Sequence, residues 1–221
     1  MLIFLREPVN MRAYLNDNEV GINHVQKEKL LQRLDELEGV KERRIEKRFL
    51  DVFFQKKPCI DNGFKSFDYE KFYAAVLFFA NKCEGLLKVK LLKLLNYSDM
   101  IFYKENGVSI TGTRYIHLPF GPVPEYYDVL FGMMEAQNII SININFVNGY
   151  EKHYVTPVTH DFISILSHEE MDVMTRVYDR FVNFGSAEIS NYSHEEVGYK
   201  ETAQGEIISY DYAKDIMLER V

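Results

Sequence analysis

The 221-residue chain has no tryptophan and only two cysteines, Cys59 and Cys83. Two cysteines cannot build a disulfide framework or fill a four-ligand zinc site by themselves. Both lie beside apolar sequence, which is the setting of reduced thiols in a cytosol. No apolar run approaches the ~20 residues that a membrane span requires. The opening Met1-Leu2-Ile3-Phe4-Leu5 is cut off by Arg6 and Glu7, too soon for a signal-peptide core. These absences predict a cytoplasmic protein that does not enter membranes. Phosphate-cradling and dinucleotide-binding glycine motifs are missing, as are the helical zinc-protease pair and the G-x-S-x-G nucleophile turn. No catalytic residue, metal ligand set or cofactor site is therefore expected. His160, Asp161 and His168 have no ligand spacing, and His194-Glu195-Glu196 has no partner nucleophile.

Positive charge is also scarce where the chain is most apolar. Residues 61–221 hold 14 Lys and Arg against 23 Asp and Glu, a net of −9, while residues 1–60 are close to neutral at 12 against 10. So acidic a region repels phosphate and fits a basic protein partner better than nucleic acid.

What the chain does have is apolar bulk. Hydrophobic residues make up 47%, including 16 Phe and 15 Tyr. From His24 to about Phe54, Leu30, Leu31, Leu34 and Leu37 form a helical stripe opposite alternating charges. Pro58 and Asn62-Gly63 then break the pattern. The chain is accordingly divided into a helical arm, 1–60, and a compact domain, 61–221.

Within that domain, Asp68 is a suitable N-cap for an apolar helix running from Tyr69 to Cys83. A second helix, about Leu87 to Lys104, carries Leu87, Leu91, Leu94, Leu95, Ile101 and Phe102 on one arc. Lys90 and Lys93 fall opposite. Asn106-Gly107 can end it in the left-handed conformation. The β-prone stretch from Ser109 to His117 leads into Leu118-Pro119-Phe120-Gly121-Pro122-Val123-Pro124, where three prolines forbid helix and favour extended chain. Pro124 suits the first position of a helix through Asn138. Alternation from Ile140 to Phe146, then Asn148-Gly149, then Tyr150 to Val158, reads as a hairpin. Ser167 with Glu170, and Ser193 with Glu196, have capping-box spacing. A last helix is expected over Ser209–Glu219. The fold class is α+β: a predominantly helical single domain with a β-hairpin and room for a third strand, preceded by the helical arm.

Five strings, in this order, resemble the Panacea domain, the SocA-like antitoxin domain of bacterial and phage proteins. They are Phe67 to Lys71, Lys90 to Asp99, Ser109 to Gly112, Leu118 to Pro124, and Tyr192 to Glu195, and the resemblance spans about residues 66–215. It implies a mainly helical, non-enzymatic protein that neutralises a cognate toxin by direct binding, or that delivers the toxin to a cellular protease as an adaptor. Asp68, Asp99, Gly112, Gly121, Pro122, Pro124 and His194 occupy motif positions and read as structural. Relatives of this subtype often carry an N-terminal zinc finger or helix-turn-helix, and neither pattern is present here. The family often has Trp where this chain has Tyr199.

Helix, strand, helix and hairpin from Leu87 to Val158 also follow the order of a winged-helix transcription regulator. The helix that would enter the groove contains Glu125, Asp128 and Glu135 and no Lys or Arg. Specific DNA binding by this chain alone is therefore not expected. The candidate partner-binding residues are Phe120, Tyr126, Tyr127 and Asp128, which combine aromatic anchors, acidity and a stiff backbone.

Overall fold

A computed structural model describes residues 24–25, 27–35, 50, 56–147, 149–159, 162–216 and 218. The chain divides into two units, Met1–Gln55 and Lys56–Val221, each described by itself. In the first unit the described part of 24–35 is helical, with Leu34 buried and Leu30 exposed. Leu37 lies outside the described residues, and Leu50 is helical and buried.

The second unit is an α+β domain in which helices predominate. Its elements are α1 (Tyr69–Lys82), α2 (Lys88–Asn106), β1 (Tyr115–Leu118), β2 (Gly121–Pro124), α3 (Tyr127–Ala136), β3 (Ile140–Val147), β4 (Tyr150–Pro157), α4 (His168–Phe181), α5 (Ser186–His194), α6 (Val197–Lys200) and β5 (Ile207–Ile208), with a closing 3-10 helix at Tyr210–Asp215. Asp68 caps α1 by accepting from the Lys71 amide. Every residue of that helix from Phe72 to Ala80 is buried, as its all-round apolarity requires. Gly107 ends α2 at φ 74. Ser167 and Glu170 form the reciprocal capping box that opens α4.

α2 is the central helix. It packs on α1, α4, α5, β2 and the closing 3-10 turn. Thirteen consecutive residues, Lys90 to Phe102, are buried, so no side of it faces solvent over more than three turns. Lys90 and Lys93 are therefore not on a solvated face, as the helical arc had led one to expect. Lys90 Nζ donates to the carbonyls of Val182 (3.0 Å), the C-cap of α4, and Phe184 (2.9 Å), just beyond it.

Two small antiparallel sheets complete the domain, in the orders β2-β1-β5 and β3-β4. The proline-rich segment is not one extended run. It reverses at Pro119-Phe120, so that Leu118 faces Gly121 and Tyr115 faces Pro124. Proline is tolerated in β2 because that strand is the edge of its sheet. Pro124 consequently ends a strand instead of opening a helix, and α3 begins only at Tyr127 after Tyr126 has turned through φ 58. The third strand is β5, paired with β1 at Tyr115–Ile208 and Ile116–Ile207. Ser193 does not cap a helix: it sits in the last turn of α5 and donates to the Ser190 carbonyl, while Glu196 precedes α6. The expected last helix is reduced to the 3-10 segment.

Candidate functional site: two display points on a fixed polar interior

Asp99 lies on α2 and is 1% exposed. Its Oδ1 accepts from the amides of Ile110 (2.8 Å) and Thr111 (2.9 Å). Its Oδ2 accepts from the Thr111 hydroxyl (2.5 Å) and the Tyr115 phenol (2.8 Å). Burial pushes the carboxyl above its ordinary range, against the pull of these donors. Asp99 thus ties the loop between α2 and β1 to the central helix. Gly112 in that loop has φ +73, and a Cβ there would meet the Ser66 carbonyl at 2.5 Å. Tyr210 closes the same region by donating to the Thr113 carbonyl at 2.7 Å.

One helical turn and a half earlier, Lys93 is wholly buried and donates to the Pro122 carbonyl at 3.0 Å. Desolvation lowers its pKa from 10.5 to about 7. Gly121, at φ +98, lets β2 come this close: a Cβ would collide with Ser193 Oγ and lie 2.6 Å from Lys93 Cε. Gly121→Ala is therefore expected to lose about 2–4 kcal/mol of stability in urea denaturation through combined overpacking and backbone strain. A loss below about 0.5 kcal/mol would show that β2 is not held this tightly.

Next to this strand the Tyr199 ring lies between two imidazoles, 3.7 Å from His117 and 4.5 Å from His194 by ring centroids. Its hydroxyl donates to the Leu118 carbonyl at 3.0 Å. Burial first, and then the proximity of Lys93 and His117, lowers the pKa of His194. His194 Nε2 is enclosed without a hydrogen-bond partner. Glu196 accepts from Tyr97 in the interior (3.1 Å), and Glu195 is paired at the surface to Lys200 (2.5 Å).

These contacts hold β1 and β2 from behind and leave two points on display. Phe120 is 72% exposed at the tip of the β1–β2 turn. Tyr126, 43% exposed, and Val129, 39% exposed, stand at the other end of β2. Five residues, Gly121 to Glu125, separate Phe120 from Tyr126, a span of at most about 20 Å. Tyr127 is half-buried, edge-on to Phe131, with Lys88 Nζ 4.9 Å above its ring. Asp128 is exposed and paired to the same Lys88 at 2.6 Å. Of the four candidate residues, Phe120 and Tyr126 are displayed, Tyr127 is largely packing, and Asp128 carries a screened charge. Among the described residues no group of three His, Cys, Asp or Glu could hold a metal ion. His160 and Asp161 lie outside them. Cys59 and Cys83 are free, and no described helix is long and apolar enough to cross a membrane.

The buried Asp99 and Lys93 contacts, with two rigid apolar tips before them, define a helical α+β domain built around one central helix and a proline-edged hairpin. Residues 91–198 match the family model described as antitoxin SocA-like, Panacea domain. The match contains Asp99, Gly112, Gly121, Pro122, Pro124 and His194. No curated protein and no solved structure matches the chain. Lys93, Lys90 and Glu196 were not singled out as site residues by sequence reasoning. Their signal was the Lys-x-x-Lys pair inside an otherwise apolar helix, which carries meaning only once neighbours cover both lysines.

Proposed function

We propose that this protein is an antitoxin-type binder that neutralises a cognate toxin by direct protein–protein contact, without catalysis. The observation that carries the reading is the antitoxin-domain match over residues 91–198. The display of Phe120 on a turn whose following strand is wholly buried supports it. The buried strand holds the backbone under this ring, so binding through it orders less chain than a free loop would. The excess of acidic residues in 61–221 favours a basic toxin surface. It also disfavours duplex DNA, since α3 contains Asp128 and Glu135 and no Lys or Arg.

The test is co-expression with the product of the adjacent reading frame, followed by pull-down and affinity measurement. Phe120→Ala and Tyr126→Ala are each expected to weaken binding by about 2 kcal/mol, roughly thirtyfold, with circular dichroism unchanged. Tyr127→Ala is expected to act mainly through stability, and Asp128→Ala to have a small, salt-dependent effect. Wild-type affinity in folded Phe120→Ala and Tyr126→Ala would move the binding face elsewhere.

A further inference from the structure

The ribbon of β3 and β4 leaves the core as it runs toward its turn. Ile140 and Val155, at its base, are 2% and 1% exposed. Ile144 and Phe146, further along the same face of β3, are 53% and 73% exposed. β3 contains no charged residue, no proline and no glycine. Edge strands usually carry one of these, or a bulge, to prevent pairing with another chain.

The backbone direction of this edge follows from two contacts and the strand register. The Ile142 amide is bonded to Glu135 Oε1 at 2.8 Å, and the Val155 amide, opposite it in register, to the Leu86 carbonyl at 2.8 Å. Ile142 and Val155 therefore turn their amides and carbonyls away from each other. By the alternation of an antiparallel ladder, Ile144 and Phe146 point theirs the same way as Ile142, outward from β4. Glu135 occupies the edge at Ile142. Beyond it, nothing among the described residues accepts from or donates to the backbone of Ile144 or Phe146.

We propose that this open edge pairs with the same edge of a second copy of the chain. The two β3 strands run antiparallel about a two-fold axis at Asn145. That register sets Ile144 opposite Phe146 of the other copy, twice. Both residues face outward, so each pair exchanges two backbone bonds, four in all. The same register stacks isoleucine on phenylalanine on one face and Asn145 on Asn145 on the other. It leaves the Glu135 cap of Ile142 in place. The absence of charge on β3 is what a self-pairing strand needs, because any charge near the axis would meet its own copy.

Sedimentation velocity across a concentration series up to about 100 μM, at about 150 mM salt, tests this, since a micromolar Kd then reads out mostly as dimer. The wild-type chain is expected to be dimeric. Ile144→Glu and Phe146→Lys change exposed positions that face His153 and Glu151 across the ribbon, so both variants are expected to fold. Each alone is expected to weaken the dimer about tenfold or more by placing a charge against an apolar ring or chain. The double variant sets the introduced glutamate of each copy opposite the introduced lysine of the other and is expected to recover most of the lost affinity. A wild-type chain that stays monomeric throughout overturns the proposal and leaves the edge to a strand of another protein. A dimer indifferent to both single variants, or a double variant no tighter than either, overturns this register and this edge.

Discussion

Asp99→Ala is expected to remove about 3–5 kcal/mol of folding stability, a large share of what a domain of this size has. The change strands two backbone amides, at Ile110 and Thr111, and the Tyr115 phenol, all of which donate to this carboxylate in the interior. None of them can turn to water, since Ile110, Thr111 and Tyr115 are all buried. Asp99→Asn separates acceptor geometry from mere bulk. Its carbonyl can still serve the two amides, but its NH2 group would face the donors from Thr111 and Tyr115, so a loss of about 1–3 kcal/mol is expected. Urea denaturation of the three proteins checks the order wild type, Asn, Ala. If Asp99→Ala lost less than about 1 kcal/mol, the loop before β1 would be held by Gly112 and Tyr210 without the carboxylate.

Lys93→Met is expected to act in the opposite direction. An ammonium group with one protein acceptor, Pro122 O, is a costly thing to enclose. The lowered pKa expresses that cost as a pH dependence. In the unfolded chain Lys93 binds its proton up to about pH 10.5, in the folded chain only to about 7. Between those limits the unfolded state holds more protons, so folding stability from this group rises with pH and is lost as pH falls through 7. The interval corresponds to roughly 5 kcal/mol between its two ends. Methionine keeps the length of the side chain and removes the charge, at the loss of one hydrogen bond to Pro122. A net gain of about 1–3 kcal/mol at pH 7 is expected, shrinking as the pH approaches 10. The wild-type minus variant difference is the quantity to follow, because buried Tyr97, Tyr115 and Tyr210 respond to alkali with the opposite sign. A Lys93→Met protein that is less stable at every pH would show that the lysine is compensated in the fold.

A lysine kept at such a position under Gly121 and Pro122 fits a role in holding the displayed turn. Lys93 Nζ fastens β2 from behind, and the Tyr199 hydroxyl fastens β1 at Leu118. Phe120, 72% exposed, lies between those two anchors. Stability spent on the anchors appears at the surface as a turn with a held backbone.

Local chemistry was legible wherever a residue acts through its own backbone or its nearest neighbours. Asp68 before an apolar run, Ser167 with Glu170, and Gly107 after Asn106 all do in the fold what their sequence positions imply. Alternation from Ile140 to Phe146 specified β3 in the same way, since a period of two has no other use. The Panacea strings were legible as a set, although what each residue does was not. Pro124 shows where local reading fails: its fixed φ suits the first turn of a helix and the end of a strand equally. Pairing with Tyr115 decided for the strand.

From the sequence alone came the apolar content, the acidic balance of 61–221, the helices α1, α2 and α4, the β3–β4 hairpin, and the motif set of an antitoxin domain. These depend on composition and on contacts a few residues apart. Only the tertiary structure decided that α2 is enclosed on every side. Periodicity shows that one face of a helix is apolar but not how many neighbours surround it. That enclosure turned Lys90 and Lys93 from surface charges into buried donors for Val182, Phe184 and Pro122. It also brought Asp99 to a loop eleven and twelve residues away. Which aromatic rings reach solvent was settled in the same way, by packing across elements far apart in the chain.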